Sequence, residues 1–307
     1  MKNLEEIGQQ NYENGNSLIV YKNGQSYLVD KKYEEKLNIR SIAKTILALA
    51  CGIIIDENSD FNEETLVYPI IKDKLSLENK ENEKYLSQLK IKHLLTQTVG
   101  YRDVLLMSKD IDTNSYDKLL NKLINYPICH KPGSYFLYSN ASYYLLSATL
   151  EEYLGYDLFE FLNNRLFKPL DIKNPSADKW GKYLAGATKF YLSASDLLKF
   201  GILMLDNGKY NNHEIISPNW IKKMKTPYYK NFQELDNQFL SSDYYGYGLW
   251  ISEKDIIFAS GTGGQLIVLI EKLGIVIVST NSGQASKSYN IKKDIDTIIQ
   301  ILLGGIQ

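Results

Sequence analysis

A serine and a lysine three residues apart, Ser41 and Lys44, stand at the head of the run Ser41-Ile42-Ala43-Lys44-Thr45-Ile46-Leu47-Ala48-Leu49-Ala50-Cys51-Gly52. On a helix, positions i and i+3 share a face, so the two side chains can touch. Such a pair can act as a nucleophile and its base, provided the lysine is neutral. A free lysine has a pKa of about 10.4, so base chemistry at neutral pH needs a depression of roughly 3 units, about 4 kcal/mol. Desolvation supplies a shift of that size. The ten residues Ile46 to Ile55 carry one glycine and no charge, which predicts a helix buried on all sides. A serine at the start of that helix also sits among outward-pointing backbone N–H groups able to hold an oxyanion.

Spacing alone is a weak signal, since Ser-x-x-Lys occurs four times: Ser41/Lys44, Ser87/Lys90, Ser115/Lys118 and Ser176/Lys179. Only the first combines the spacing with a helix start and an apolar face. Tyr-x-Asn occurs five times, at Tyr12, Tyr21, Tyr138, Tyr210 and Tyr229. Tyr138 differs because Pro132-Gly133 precedes it and an apolar helix follows it, which places its hydroxyl on a short, rigid loop. A third stretch, Phe258-Ala259-Ser260-Gly261-Thr262-Gly263-Gly264-Gln265, puts three glycines beside a strand, where a ligand can approach the backbone. It lacks both the P-loop ending and the dinucleotide-binding context.

The elements that must position these residues follow from periodicity. Strands are predicted at Ser17 to Tyr21 and Ser26 to Asp30, joined by Asn23-Gly24 as a tight hairpin turn. Helices are predicted at Tyr116 to Leu123, Ala141 to Leu154, Leu158 to Leu166 and Ser195 to Leu205. Ser195-Asp196 offers the last of these an N-cap, and Ser217-Pro218 opens a short helix around Trp220. Period two returns at Tyr247 to Ser252, Ile256 to Ser260, Gln265 to Glu271 and Ile275 to Thr280, before a final amphipathic helix at Ile291 to Leu303. Strands at both ends and helices between them predict an α/β (α+β) fold. One antiparallel sheet is built from both termini, and a mainly helical subdomain is inserted. On this reading residues 1–307 form one domain, with 1–60 plus 210–307 as the sheet region and 61–209 as the helical region.

Composition narrows the function classes. The net charge of -1 gives no reason to expect a nucleic-acid or membrane partner. The N-terminus has two early acids and no hydrophobic segment of the signal-peptide kind. The Ile46 to Ile55 run is shorter than the ~20 residues of a membrane span. The expectation is a cytoplasmic protein. The three histidines, His93, His130 and His213, are isolated, and neither they nor Cys51 and Cys129 form a metal-ligand pattern. His93 is expected to be structural and Cys51 a buried thiol. No cofactor is expected.

Taken in order, Ser41-x-x-Lys44, Tyr138-x-Asn140 and a glycine-flanked triad on a late strand resemble the serine β-lactamase and penicillin-binding protein superfamily. The tyrosine in the second motif points to the class C-like branch, which includes D-alanyl-D-alanine carboxypeptidases, esterases and amide hydrolases. His93-Leu94-Leu95-Thr96-Gln97-Thr98-Val99-Gly100-Tyr101 and Tyr247-Gly248-Leu249-Trp250 also look like stretches of that family. The resemblance implies a β-lactamase/D,D-peptidase-like fold. It implies Ser41 as acylated nucleophile, Lys44 as general base and Tyr138 as proton shuttle. It makes Asn140 a substrate-orienting residue, with Ser260, Gly261 and Thr262 lining the site and the Ser41 and Thr262 N–H groups forming the oxyanion hole.

The chain departs from the family pattern in two places. Ala259-Ser260-Gly261 stands where β-lactam-handling members have Lys-Thr-Gly or His-Thr-Gly, so the cation expected to bind a substrate carboxylate is missing. Gln97 and Val99 replace the family's usual His and Ser. The implied reaction is cleavage of a small-molecule ester or amide. The alternatives are a penicillin-binding D,D-peptidase or class C-like β-lactamase, and a catalytically silent binding protein on the same fold.

Overall fold

The N-terminal hairpin forms one edge of the sheet. In the computed structural model, which describes residues 4–29, 32–107, 118–232, 238–282 and 285–304, strands Ser17–Lys22 (β1) and Gln25–Leu28 (β2) pair antiparallel. Asn23 and Gly24 take φ of 51° and 82° between them, the left-handed pair that a two-residue hairpin demands. The other strands come from the last third of the chain: Tyr229–Lys230 (β3), Tyr244–Tyr245 (β4), Trp250–Ile251 (β5), Ile257–Gly261 (β6), Gln265–Ile270 (β7) and Ile275–Thr280 (β8). Among the described residues they form one eight-stranded antiparallel sheet in the order β3-β4-β5-β6-β7-β8-β1-β2. Ser17 pairs with Thr280 and Lys22 with Ile275, so the two ends of the chain meet in the sheet as its pattern predicts.

Helices cover both faces, which explains why β7 and β8 are apolar at nearly every position rather than alternating. On one face, Leu18, Val20, Phe258, Leu266, Val268, Ile275 and Ile277 pack with residues of helices Leu4–Asn11 (α1) and Ser288–Gly304 (α5). On the other, Ile19, Ala259, Ile267, Val276 and Val278 join the larger core formed with Ala43–Glu57 (α2), Asn140–Leu154 (α3) and Ala194–Leu205 (α4). Gly201 lets α4 lie directly on the sheet, since a Cβ there would stand 2.4 Å from Val276 Cγ1.

Several predicted elements shift for local reasons. α4 is capped by Ser193 rather than Ser195. Ser193 Oγ accepts the Asp196 N–H at 3.1 Å and the Asp196 carboxylate accepts the Ser193 N–H at 3.1 Å, a reciprocal box that requires a spacing of three. The predicted Leu158 to Leu166 helix is α-helical over Leu158–Leu162 and continues as a π turn at Asn163–Phe167. The helix predicted from Tyr116 runs from Leu119 to Asn125; positions 116–117, like Ser115 and Asp30, lie outside the described residues. The strand predicted at Tyr247 to Ser252 is confined to β5 because Gly248 turns left-handed, with φ 71°. Its carbonyl accepts the Thr45 hydroxyl at 2.6 Å, so this segment is pinned to α2 instead of extending the sheet. No helix of the described residues is long and apolar enough to cross a membrane.

Candidate active site

Ser41 lies in a 3-10 turn, Arg40–Ile42, that runs directly into α2. The turn is fixed from behind: Ile39 N–H donates to Phe190 O at 2.9 Å, and Arg40, left-handed at φ 54°, donates its N–H to Asn38 Oδ1 at 2.9 Å. Ser41 thus occupies a first turn, where backbone N–H groups have no partner within the helix. Lys44, one turn on, is only 1% exposed. Its Nζ donates to Ser41 Oγ at 3.1 Å, Asn140 Oδ1 at 2.8 Å and Ala187 O at 3.4 Å. Three donors meet three uncharged acceptors. Burial pulls the amine down to about 7, since desolvation disfavours the charged form.

Asn140 opens α3, and its orientation is set from the far side, where Nδ2 donates to Leu106 O at 2.8 Å. That leaves Oδ1 facing the lysine. Tyr138 is held between two bonds to a single residue. Leu137 N–H donates to Gln97 O at 3.1 Å, and Ser139 N–H donates to Gln97 Oε1 at 2.7 Å. The Tyr138 ring stacks on Trp250 at 5.1 Å and meets Tyr245 edge-on at 5.8 Å. Lys44 Nζ lies 4.7 Å from the centre of the same ring. Burial pushes the Tyr138 phenol up to about 12, with the neighbouring Ser41 hydroxyl acting in the opposite direction.

The late strand reaches the same place. A Cβ on Gly261 would lie 2.4 Å from Ile39 O and 2.9 Å from Arg40 Cβ, so the end of β6 packs against the Ser41 turn and only glycine fits. Ser260 sits one residue back, paired with Leu266, and Thr262, exposed, follows in the turn to β7. Ser41, Lys44, Tyr138 and Asn140 therefore converge, and Gly261 borders them. Ser260 and Thr262 flank the group, and among the described residues neither is hydrogen-bonded to those four side chains.

A sequence model of the Beta-lactamase family matches residues 2–296. The chain belongs to the beta-lactamase family. Solved structures of the same fold include the octameric penicillin-binding protein homologue from Pyrococcus abyssi, at 19% identity and a TM-score of 0.74, covering 97% of this chain and 75% of that one. The penicillin binding protein from Bacillus halodurans matches at 16% identity and a TM-score of 0.67, covering 98% and 99%. EstCE1, a hydrolase with promiscuous acyltransferase activity, matches at 15% identity and a TM-score of 0.70, covering 95% and 97%. No curated protein matches the sequence. Membership places the chain in a beta-lactamase-fold hydrolase family.

Within that family fold, three contributors escape sequence reasoning. Ala187 O and Leu106 O act through the backbone and leave no side-chain signature. Gln97 was visible only as a departure from the family's histidine, and its task here is to fix the Tyr138 loop from both sides. His93 is structural: its Nδ1 accepts the Lys90 N–H at 3.1 Å, and burial together with Lys92 and Lys90 pushes it down to about 4.

Proposed function

We propose that this protein is a serine hydrolase that cleaves an ester or amide bond through an acyl-Ser41 intermediate. The observation that carries the reading is the Lys44 amine, buried among uncharged acceptors, 3.1 Å from Ser41 Oγ. In its neutral form Lys44 takes the Oγ proton as Ser41 attacks the carbonyl carbon. The resulting oxyanion faces the N–H of Ser41 and the N–H of Thr262. Tyr138, protonated across the working pH range, gives its proton to the departing oxygen or nitrogen and regains one from the Lys44 ammonium. Water then attacks the acyl-enzyme, passing its proton back through the same groups to Ser41. Asn140 orients the substrate carbonyl or amide and holds Lys44 in reach. Proton transfer of this kind is worth ~10²–10⁴-fold in rate, and each oxyanion donor ~10²–10³-fold.

The small, uncharged residues at Ala259-Ser260 favour a substrate without an essential carboxylate over a β-lactam or a D,D-peptide. Fluorophosphonate labelling and fluorescent penicillin, each run on wild type and Ser41→Ala, separate the readings. Labelling by fluorophosphonate alone, lost in the variant, is expected. Stable acylation by penicillin, or nitrocefin turnover, would move the protein to the β-lactam-handling branch. Labelling by neither probe would make it a silent binding protein.

A further inference from the structure

A trough of about 420 Å³ opens beside Tyr138, walled by Val104, Tyr135, Phe136, Phe232 and Trp250 as well as by Tyr138 itself. Its floor is a packed aromatic set: Phe136 meets Trp250 edge-on at 6.2 Å, and Trp250 stacks on Tyr138 at 5.1 Å. Its rim is open to solvent. Phe232 is 87% exposed, and Val104 and Tyr135 are exposed with it. Among the described residues no lining side chain carries a charge, and Asn231 turns its Nδ2 to Ser242 O at 2.9 Å. Polar and apolar atoms share its accessible lining, with aromatic rings as its largest side chains. That lining is continuous with the proposed proton donor.

Resting on the acyl-Ser41 reading, we infer that this trough is the leaving-group subsite and takes an uncharged group that presents a flat face, an aryl alcohol or amine. The direction follows from the tetrahedral intermediate. Its oxyanion points to the N–H groups at Ser41 and Thr262, and its leaving atom must reach the Tyr138 hydroxyl. Whatever is bonded to that atom continues past Tyr138, where the trough lies. An aromatic floor receives a flat group by stacking, and the absence of charge rejects an ionic one, which would lose its hydration without a partner. Selectivity therefore resides in the alcohol or amine rather than in the acyl chain.

Two ester series on the full chain test this. One holds acetate constant and varies the alcohol through methyl, benzyl and 2-naphthylmethyl; the other holds methanol constant and varies the acyl group through acetate, butyrate and phenylacetate. The expected result is a rise in kcat/KM of about 10-fold or more from methyl to benzyl acetate, and a change of less than about 3-fold across the acyl series. The benzyl-to-methyl ratio should fall at least about 3-fold in Phe232→Ala and further in Val104→Asp, which places a charge in the trough. Selectivity that follows the acyl group, or a ratio untouched by both variants, overturns the assignment. Fluorophosphonate labelling of Ser41 keeps the two questions apart: a labelled enzyme with a flat alcohol series sinks the subsite alone, whereas an unlabelled enzyme sinks the acyl-enzyme reading on which it rests.

Discussion

Two lysines, one buried and one half-buried, lie over opposite faces of one sheet, and comparing them shows what burial does and does not accomplish. Lys44 belongs to the helices over one face. Lys292, on α5, lies over the other, with Nζ 5.6 Å from the centre of the Phe258 ring. Burial lowers both amines, but at Lys292 the carboxylate of Asp296 acts against the shift. Asp296 is itself occupied, accepting the N–H groups of Gln238, Phe239 and Leu240 at 2.8, 3.1 and 2.8 Å. Among the described residues Lys44 has no such partner. Its acceptors are a hydroxyl, an amide and a carbonyl, and the hydroxyl is that of the serine it would deprotonate. Desolvation is common to both sites; the difference lies in what the amine faces.

The largest effect should come from removing the neutral amine. Lys44→Ala is expected to lower kcat on a p-nitrophenyl ester by ~10²–10⁴-fold, and Tyr138→Phe by a comparable factor. Near-normal turnover in either variant would remove the proposed roles. In the wild type, kcat/KM should rise with pH through about 7, because only the neutral lysine accepts the proton. It should then hold level well above that pH, since Tyr138, pushed up to about 12, keeps its proton.

The same depression has a stability consequence. Lys44 titrates at about 7 in the folded protein and near its ordinary value of 10.5 when unfolded. Below about 7 both states bind the proton and the cost of the buried charge is fully present. Between about 7 and 10.5 the unfolded state binds more protons, so this group makes stability rise with pH. The unfolding free energy of wild type relative to Lys44→Met should therefore increase by on the order of 4 kcal/mol from pH 7 to pH 10. Denaturant titrations of both proteins at the two pH values read that difference directly; a gap that does not change with pH would mean that Lys44 is not depressed.

A carboxylate can be placed directly against Lys44. Asn140→Asp puts a negative charge where Oδ1 now accepts from Lys44 Nζ at 2.8 Å, making the environment resemble that of Lys292. An opposite charge at such a distance favours the ammonium, so the rising limb of the pH–rate profile should move up by roughly 1–3 units. A limb that stays near 7 would show that another group controls it.

How much of this was legible beforehand depends on distance along the chain. Ser41 and Lys44 are three residues apart, so a local helix rule was enough to bring them together. Strands β7 and β8 were readable because a strand buried on both faces is apolar throughout. The link from Lys44 to Asn140 spans 96 residues and came from the order of motifs, not from any periodicity. The cradle's remaining acceptor, Ala187 O, is a backbone atom delivered by a fold that no single stretch encodes. Strands β3, β4 and β5 have two residues each, too few to establish an alternation. The aromatic floor under Tyr138 gathers Phe136, Tyr245 and Trp250 from separate segments, so 24 tyrosines could announce a surplus without indicating where it would assemble.

The smallest predicted effect belongs to the second lysine. Lys292→Met keeps an unbranched stem along Phe258 and leaves Asp296 its three backbone donors. The change loses a cation–ring contact worth about 0.5–1 kcal/mol at an open site. It also relieves the cost of holding a charge half-buried, which acts in the opposite direction. The two terms nearly cancel, so stability should move by no more than about 1 kcal/mol, and ester turnover should stay within about twofold of wild type. Urea titration and steady-state kinetics on the same preparation measure both quantities. A tenfold loss of rate in Lys292→Met would mean that charge on the far face of the sheet reaches Ser41, and the distinction drawn between a lysine facing neutral acceptors and one facing a carboxylate would no longer account for which of them does chemistry.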